Sequence, residues 1–310
     1  MQISIENNLT SSAIEKLIFQ TLAYFDIFNY PLKIDEIRQY CHKKVKEAEL
    51  KYFLDQLTIE NKIKEEDGFY FLSSNENTCI SNRLKKEEFL LAKKEKIKRY
   101  AKLISGFPFV ESAFISGSVS KGLLDKDGDV DYFIIAKANR VWLCRSLLII
   151  FKKIALLNSR KYFCVNYFID SNNLAVPDKN LFVATEITSL QPIDNKEINR
   201  KFYSANSWIT EYFPNTNSLK SSLFDKAIKK NIISKTIEKV CSSSIGEKLD
   251  DYFFRMTLDR WQKKFPQFNK AEFDLNMRSY KSVSKHHPRG YQKIVLEALN
   301  FRMNKYESDN

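Results

Sequence analysis

Glycine is scarce in this chain, with seven in 310 residues. A dinucleotide-binding fingerprint needs three glycines in a fixed rhythm, and no such run exists. A phosphate-binding P-loop fails too, because Gly122 is followed by Leu123 and Leu124 where Lys and Ser or Thr are required. The five cysteines, Cys41, Cys79, Cys144, Cys164 and Cys241, are odd in number and never closely paired. That excludes a disulfide framework and fits reduced thiols in a cytoplasm. Histidine is limited to His42, His286 and His287, and no Cys/His cluster has the spacing of a structural zinc site. A long apolar run is also missing. The most apolar helical stretch, Val141 to Leu157, is broken by Arg145, Lys152 and Lys153 and is too charged to span a bilayer. Met1 to Asn8 shows no basic region followed by an apolar run, so no secretory leader is expected and the expected location is cytoplasmic.

What is present is a folding composition, 44% hydrophobic and 28% charged, with length enough for two or three cores. The net charge of +12 points to an anionic partner such as a nucleotide, nucleic acid or acidic membrane. Abundant Lys, Asn, Ile, Phe and Tyr offer an alternative reading, in which AT-rich codon usage supplies part of the basic excess.

Apolar residues at helical spacing, Ile14, Leu17, Ile18, Leu22 and Phe25, predict a helix over 11 to 28. Pro31 punctuates it, and helices are expected from Ile34 to Cys41 and from Val45 to about Ile59. Lys62 to Glu66 and Phe69 to Leu72 flank Asp67-Gly68, a hairpin signature. Three helices and a hairpin over residues 1 to 80 resemble a winged helix-turn-helix. That implies either nucleic-acid binding through Lys44, Lys46 and Lys51 or a docking role, which the interspersed acids favour. A Lys/Glu-rich connecting helix is expected over 81 to 105, an α/β core over 106 to 193 and a region helical to its end over 194 to 310, with helices near 197 to 212, 222 to 240, 246 to 265 and 291 to 306. Within the last region Arg278, Lys281, Lys285, His286, His287, Arg289 and Lys293 form a basic cluster. The helix from Val141 reads as core.

Chemistry concentrates in one stretch. An apolar strand from Val110 to Ser116 runs into Gly117-Ser118, and after ten intervening residues Asp129-Val130-Asp131 opens a second strand predicted over 129 to 136. Side chains alternate along a strand, so Asp129 and Asp131 are expected on one face, as a platform for a divalent cation. A calcium loop starting at Asp125 fails, since its sixth position is Val130 and its twelfth Ala136.

The Gly-Ser turn followed by paired acids resembles the nucleotidyltransferase superfamily, which includes polymerase β-like palms and minimal nucleotidyltransferases. The resemblance covers about residues 105 to 170. It implies an α+β fold, a mixed sheet flanked by helices, with an N-terminal winged helix and a helical C-terminal region. It also implies transfer of a nucleoside monophosphate from an NTP to an unidentified acceptor. Gly117, Ser118, Ser120 and Lys121 would then receive the nucleotide phosphates, and Asp129 and Asp131 would bind Mg2+ in a two-metal site. Family members carry a third acid on the next strand, predicted here over 162 to 169. Asn166, Asp170 four residues on and on the same face by alternation, and Glu186 are the candidates for that place. A regulatory protein with a degenerate palm is the alternative reading. Nucleic acid is a further partner to consider through the winged helix or the basic cluster, and no membrane partner is expected.

Overall fold

The computed structural model describes residues 11 to 72, 78 to 216 and 220 to 308. Met1 to Asn8, where no secretory leader was expected, lies outside them. The chain begins with α1 (Ser11–Asp26), β1 (Leu32–Lys33), α2 (Ile34–Tyr40), α3 (Glu47–Ile59), β2 (Ile63–Glu66) and β3 (Phe69–Leu72). The three strands pair antiparallel in the order β1-β3-β2. Asp67 and Gly68 both take positive φ, 53° and 77°, the conformation that a two-residue hairpin turn demands.

The long helix α4 (Thr78–Ser105) then leads to β4 (Val110–Ser116), the one-turn α5 (Gly117–Ser120), β5 (Asp131–Ala136), α6 (Val141–Ala155), β6 (Cys164–Asp170) and α7 (Leu181–Ser189). After these come β7 (Gln191–Pro192), α8 (Glu197–Ala205), α9 (Ile209–Tyr212), α10 (Ile232–Val240), α11 (Ser244–Lys264), α12 (Lys270–Met277), β8 (Ser279–Tyr280), β9 (Val283–Lys285) and α13 (Tyr291–Ser308). The fold is α+β, with a mixed six-stranded sheet in the order β7-β4-β5-β6-β9-β8 flanked by helices. Only β5 and β6 run parallel, and α6 makes the crossover between them. No helix among the described residues is long and apolar enough to cross a membrane.

Alternation along the strands divides the sheet between two cores. Ala113, Ile115, Tyr132, Ile134 and Phe168 pack with Ile97 and Ala101 of α4, Leu148 of α6 and Trp261 of α11. Phe114, Phe133, Ile135 and Ile169 face the other way, into a cluster with α7, Phe202 of α8, Val295 of α13 and the N-terminal helices. One apolar cluster therefore runs from α1 to the sheet that carries the glycine turn.

Three expectations need correction. The region beyond Pro192 is not helical to its end, because β8 and β9 form a hairpin that pairs with β6. The helix expected over 222 to 240 begins only at Ile232, where the Asn231 side chain accepts the Ser234 amide as an N-cap. Upstream of it, Leu223 and Phe224 donate their amides to Pro192 and Ile193, so that stretch is tied to the sheet instead. The helix expected over 197 to 212 is interrupted at Asn206. The buried Asn206 side chain accepts the Val176 amide and donates to the carbonyls of Leu174 and Phe202.

Candidate functional site

Gly117 stands at the end of β4 with φ of 66°, a region that side-chain-bearing residues rarely adopt. A second constraint comes from its neighbour. A Cβ placed there would lie 2.9 Å from Asp131 Oδ2, inside contact distance. Ser116 pairs with Asp131 across the antiparallel β4–β5 ladder, and this register brings the glycine backbone against the carboxylate. The other carboxylate oxygen, Asp131 Oδ1, accepts a hydrogen bond from Asn166 Nδ2 at 2.7 Å. Both oxygens of one acid are thus bounded, one by backbone and one by an amide.

Burial pushes the Asp131 carboxyl up, and the like charges of Asp129 and Glu186 push the same way. The Cys164 thiol and Lys121 oppose them, and the balance lies at about 6. Asp129 is half-buried and sits just before the strand, which starts at Asp131 and not at Asp129 as alternation suggested. Val130 anchors the approach, donating its amide to Lys161 and accepting from the Cys164 amide. The two acids still share one electrostatic site.

Of the candidates for a third acid, Asn166 is adjacent, Asp170 is not, and Glu186 reaches the site from an element outside the sheet. The β5–β6 register shifts between Tyr132 and Phe133, whose partners are Val165 and Tyr167, so Asn166 is the extra residue of a bulge. Beyond the bulge Tyr167 and Ile169 take the α7 side of the sheet, so Asp170 no longer shares a face with Asn166. Asp170 also pairs opposite Ala136, at the far end of the strand from Asp131. It is 2% exposed and accepts the amides of Asn139 and Asn172, a loop-holding role incompatible with contact to the acids. Glu186 projects from α7, and its Oε1 pairs with Lys121 Nζ at 2.7 Å.

The nucleotide-binding candidates are also distributed unequally. Ser118 is exposed on the turn. Ser120 is 7% exposed, and its hydroxyl donates to the Gly117 carbonyl at 2.8 Å, so it holds the turn together from within. Lys121 Nζ also reaches the Gly117 carbonyl, at 3.4 Å. Two residues that sequence reasoning missed join the same turn. Lys220 Nζ donates to the carbonyls of Ser189 at 3.1 Å and Ser120 at 3.5 Å. Burial and the nearby Lys121 hold it down at about 8. Tyr30 donates its hydroxyl to the Lys121 carbonyl and to Glu36, both at 2.9 Å, tying the N-terminal helices to the turn. Neither residue lies in a motif. Both are brought in by packing across large sequence separation.

Ion pairs take up most of the basic cluster expected near the C-terminal end, while Arg289 stays exposed beside the Tyr291 hydroxyl. Arg278 meets Asp178 and Asp274, Lys281 meets Asp250 and Asp251, Lys285 meets Asp178, and Lys293 meets Glu297. His287 is half-buried, and burial with the neighbouring Lys285 lowers it to about 4, so it adds no charge at neutral pH.

No group of three or more His, Cys, Asp or Glu side chains fit to hold a metal occurs among the described residues. Two carboxylates, Asp129 and Asp131, would leave a divalent cation to take most of its ligands from elsewhere, such as phosphate oxygens and water. A cation there would relieve the repulsion that raises the Asp131 carboxyl. A second ion lacks its donor, since an amide occupies the adjacent place. No family model matches the chain, and no curated protein or solved structure matches it.

Proposed function

We propose that the chain is a magnesium-dependent nucleotidyltransferase of the kind its Gly-Ser turn and paired acids resemble, moving a nucleoside monophosphate from an NTP to an acceptor. The observation that carries this reading is the mutual constraint of Gly117 and Asp131. A glycine with positive φ lets the turn's backbone come close to a carboxylate whose charge is disfavoured, the arrangement that a phosphate-binding turn beside a metal-binding acid would use.

The triphosphate lies along the Gly117–Ser118 turn, where Lys121 and Lys220 supply positive charge. Asp129 and Asp131 would hold the magnesium ion, which would supply charge neutralisation at the reacting phosphate. An acceptor oxygen attacks the α-phosphorus in line, the bond from that phosphorus to the bridging oxygen of the β-phosphate breaks, and pyrophosphate leaves. The acceptor proton passes to solvent. Asn166 keeps Asp131 oriented through the bond to its Oδ1. In this reading the sheet is a nucleotidyltransferase palm and the N-terminal helices with β1-β3-β2 are a winged helix. The Tyr30 contact favours a docking role for that module over DNA binding.

Asn166 also supports a second reading, a nucleotide-sensing regulatory protein without turnover, because an amide stands where an active relative carries its third acid. Pyrophosphate release from an NTP panel with pooled acceptors separates the two. Magnesium-dependent release that disappears in Asp129→Ala plus Asp131→Ala supports the enzyme. Binding of magnesium and NTP without release from any pool supports the sensor.

A further inference from the structure

Helix α10 turns one side to the protein and an apolar side to solvent. Ser234, Ile237, Glu238 and Cys241 recur at i, i+3, i+4 and i+7, the spacing of a single helix face, and this face is directed inward. The Ser234 hydroxyl donates to the Gly106 carbonyl at 2.9 Å, and Glu238 accepts the Phe109 amide at 2.6 Å. Ile237 and Cys241 pack against the core that α4, α6 and α11 share. On the side turned away, Ile232, Ile233 and Val240 are 82%, 70% and 59% exposed, and Ile245, just past the turn into α11, is 57% exposed. Single apolar residues at a surface are ordinary. Four within residues 232 to 245, on one helix and the turn that follows it, form a patch.

The patch is held in place by the chain around it. The Arg140 guanidinium donates to the carbonyls of Cys241, Ser242 and Ser243 at 3.1, 3.2 and 3.3 Å, which fixes the turn between α10 and α11. Gly246 permits the tight return, because a Cβ there would collide with the Cys241 carbonyl. The charge beside the patch is mostly of one sign. Residues 225 to 248 hold six lysines and three carboxylates, and one carboxylate, Glu238, is already paired with Lys230. Lys229, Lys235 and Lys239 are exposed and have no ion pair among the described residues. Lys235 and Lys239 stand one helical turn apart, along the edge of the apolar side.

We propose that α10 and the turn into α11 dock on an anionic lipid bilayer, with Ile232, Ile233, Val240 and Ile245 entering the headgroup region and the flanking lysines meeting lipid phosphates. Charge complementarity selects this occupant. An aliphatic face edged by lysines is the composition of a helix lying in the plane of a membrane surface, whereas protein interfaces favour aromatic residues and arginine and are depleted in lysine. The helix is short, but the fold already holds it formed, so docking carries no cost of ordering it. The expected absence of a membrane partner followed from the lack of a spanning run, and a surface-lying helix needs none. The docking face is independent of the nucleotidyltransferase reading.

Cosedimentation of the full chain with lipid vesicles tests it, comparing phosphatidylcholine alone with phosphatidylcholine containing about one-third phosphatidylglycerol. Wild type is expected to bind the anionic vesicles at least about tenfold more tightly than the neutral ones, and to lose most of that advantage at about 0.5 M salt. Ile232→Ser plus Ile233→Ser should weaken anionic binding about tenfold or more, and Lys235→Gln plus Lys239→Gln by a similar factor. All four side chains are exposed, so both variants should melt like wild type. Ile59→Ser, at a position 72% exposed on α3, should leave binding intact. Ile233→Trp should show a blue shift of tryptophan emission with anionic vesicles. No binding by wild type, equal binding to both vesicles, or wild-type affinity in the double isoleucine variant overturns the proposal. Polyglutamate bound as tightly as the vesicles, with the same dependence on Ile232 and Ile233, would give the face to an acidic protein instead. A wild-type dimer that the double isoleucine variant abolishes, without any vesicle binding, would give it to a second copy of the chain.

Discussion

Asp131→Asn is expected to make the ligand-free protein more stable while removing its metal site. The Asp131 carboxyl is raised from its ordinary 3.8 to about 6, first by burial and then by Asp129 and Glu186. A shift of that size corresponds to roughly 2–3 kcal/mol of destabilisation once the group is ionised in both states. Below the unfolded value the carboxyl is protonated folded and unfolded, and no penalty exists. Between about 4 and 6 the unfolded chain loses its proton first, so stability falls as pH rises. Above 6 the whole penalty remains. Asparagine has the same shape, still accepts from Asn166, and carries no charge to bury. Calorimetric unfolding across pH 4 to 8 should show the variant melting roughly 3–6 °C above wild type near pH 7.5, with the gap closing toward pH 4. Magnesium should raise the melting temperature of wild type and not that of the variant. A variant that melts below wild type at pH 7.5, or a gap independent of pH, would refute the argument that the fold stores like charge at this position.

Gly117→Ala places a Cβ 2.9 Å from Asp131 Oδ2 at a φ of 66°, so a loss of about 1–3 kcal/mol is expected, read by urea unfolding. A neutral or stabilising effect would contradict the close approach. Asn166→Asp removes the donor to Asp131 and adds a third like charge, costing roughly 2–4 kcal/mol near pH 8. Magnesium should restore that loss and stabilise this variant more than it stabilises wild type, as thermal shift would report. Tyr30→Phe deletes the hydroxyl that bridges Lys121 and Glu36, at an expected cost of about 1–3 kcal/mol. Because the bridge ends on the glycine turn, nucleotide affinity should fall in the same variant, whereas a stability loss with unchanged affinity would detach the N-terminal helices from the site.

The strand-turn-strand at the centre was legible because its signals are local. An apolar run, a Gly-Ser break and acids flanking Val130 each follow from neighbouring residues. The N-terminal helices and hairpin were legible for the same reason, with Asp67-Gly68 marking the turn. What alternation got wrong was Asp170, since one bulge at Asn166 resets the period and no residue type announces a bulge. The β8–β9 hairpin escaped because strands of two and three residues show no period at all. Charge was misread in both directions. Residues 278 to 293 look basic in sequence, yet acids distant along the chain pair most of them. Helix α6 reads as core and is core, with Trp142, Leu143 and Leu148 buried, but Lys152 is withdrawn from solvent along with them. Pairing is a property of the fold, so neither outcome is visible from composition.

The central claim is that Asp129 and Asp131 hold magnesium for a nucleotide seated on the Gly117 turn. Isothermal titration of each NTP in the presence of magnesium tests it most directly. Wild type should bind at least one NTP in a magnesium-dependent manner, and Asp129→Ala plus Asp131→Ala should lose that binding while remaining folded. No binding by wild type, or equal binding by the double variant, would contradict the claim.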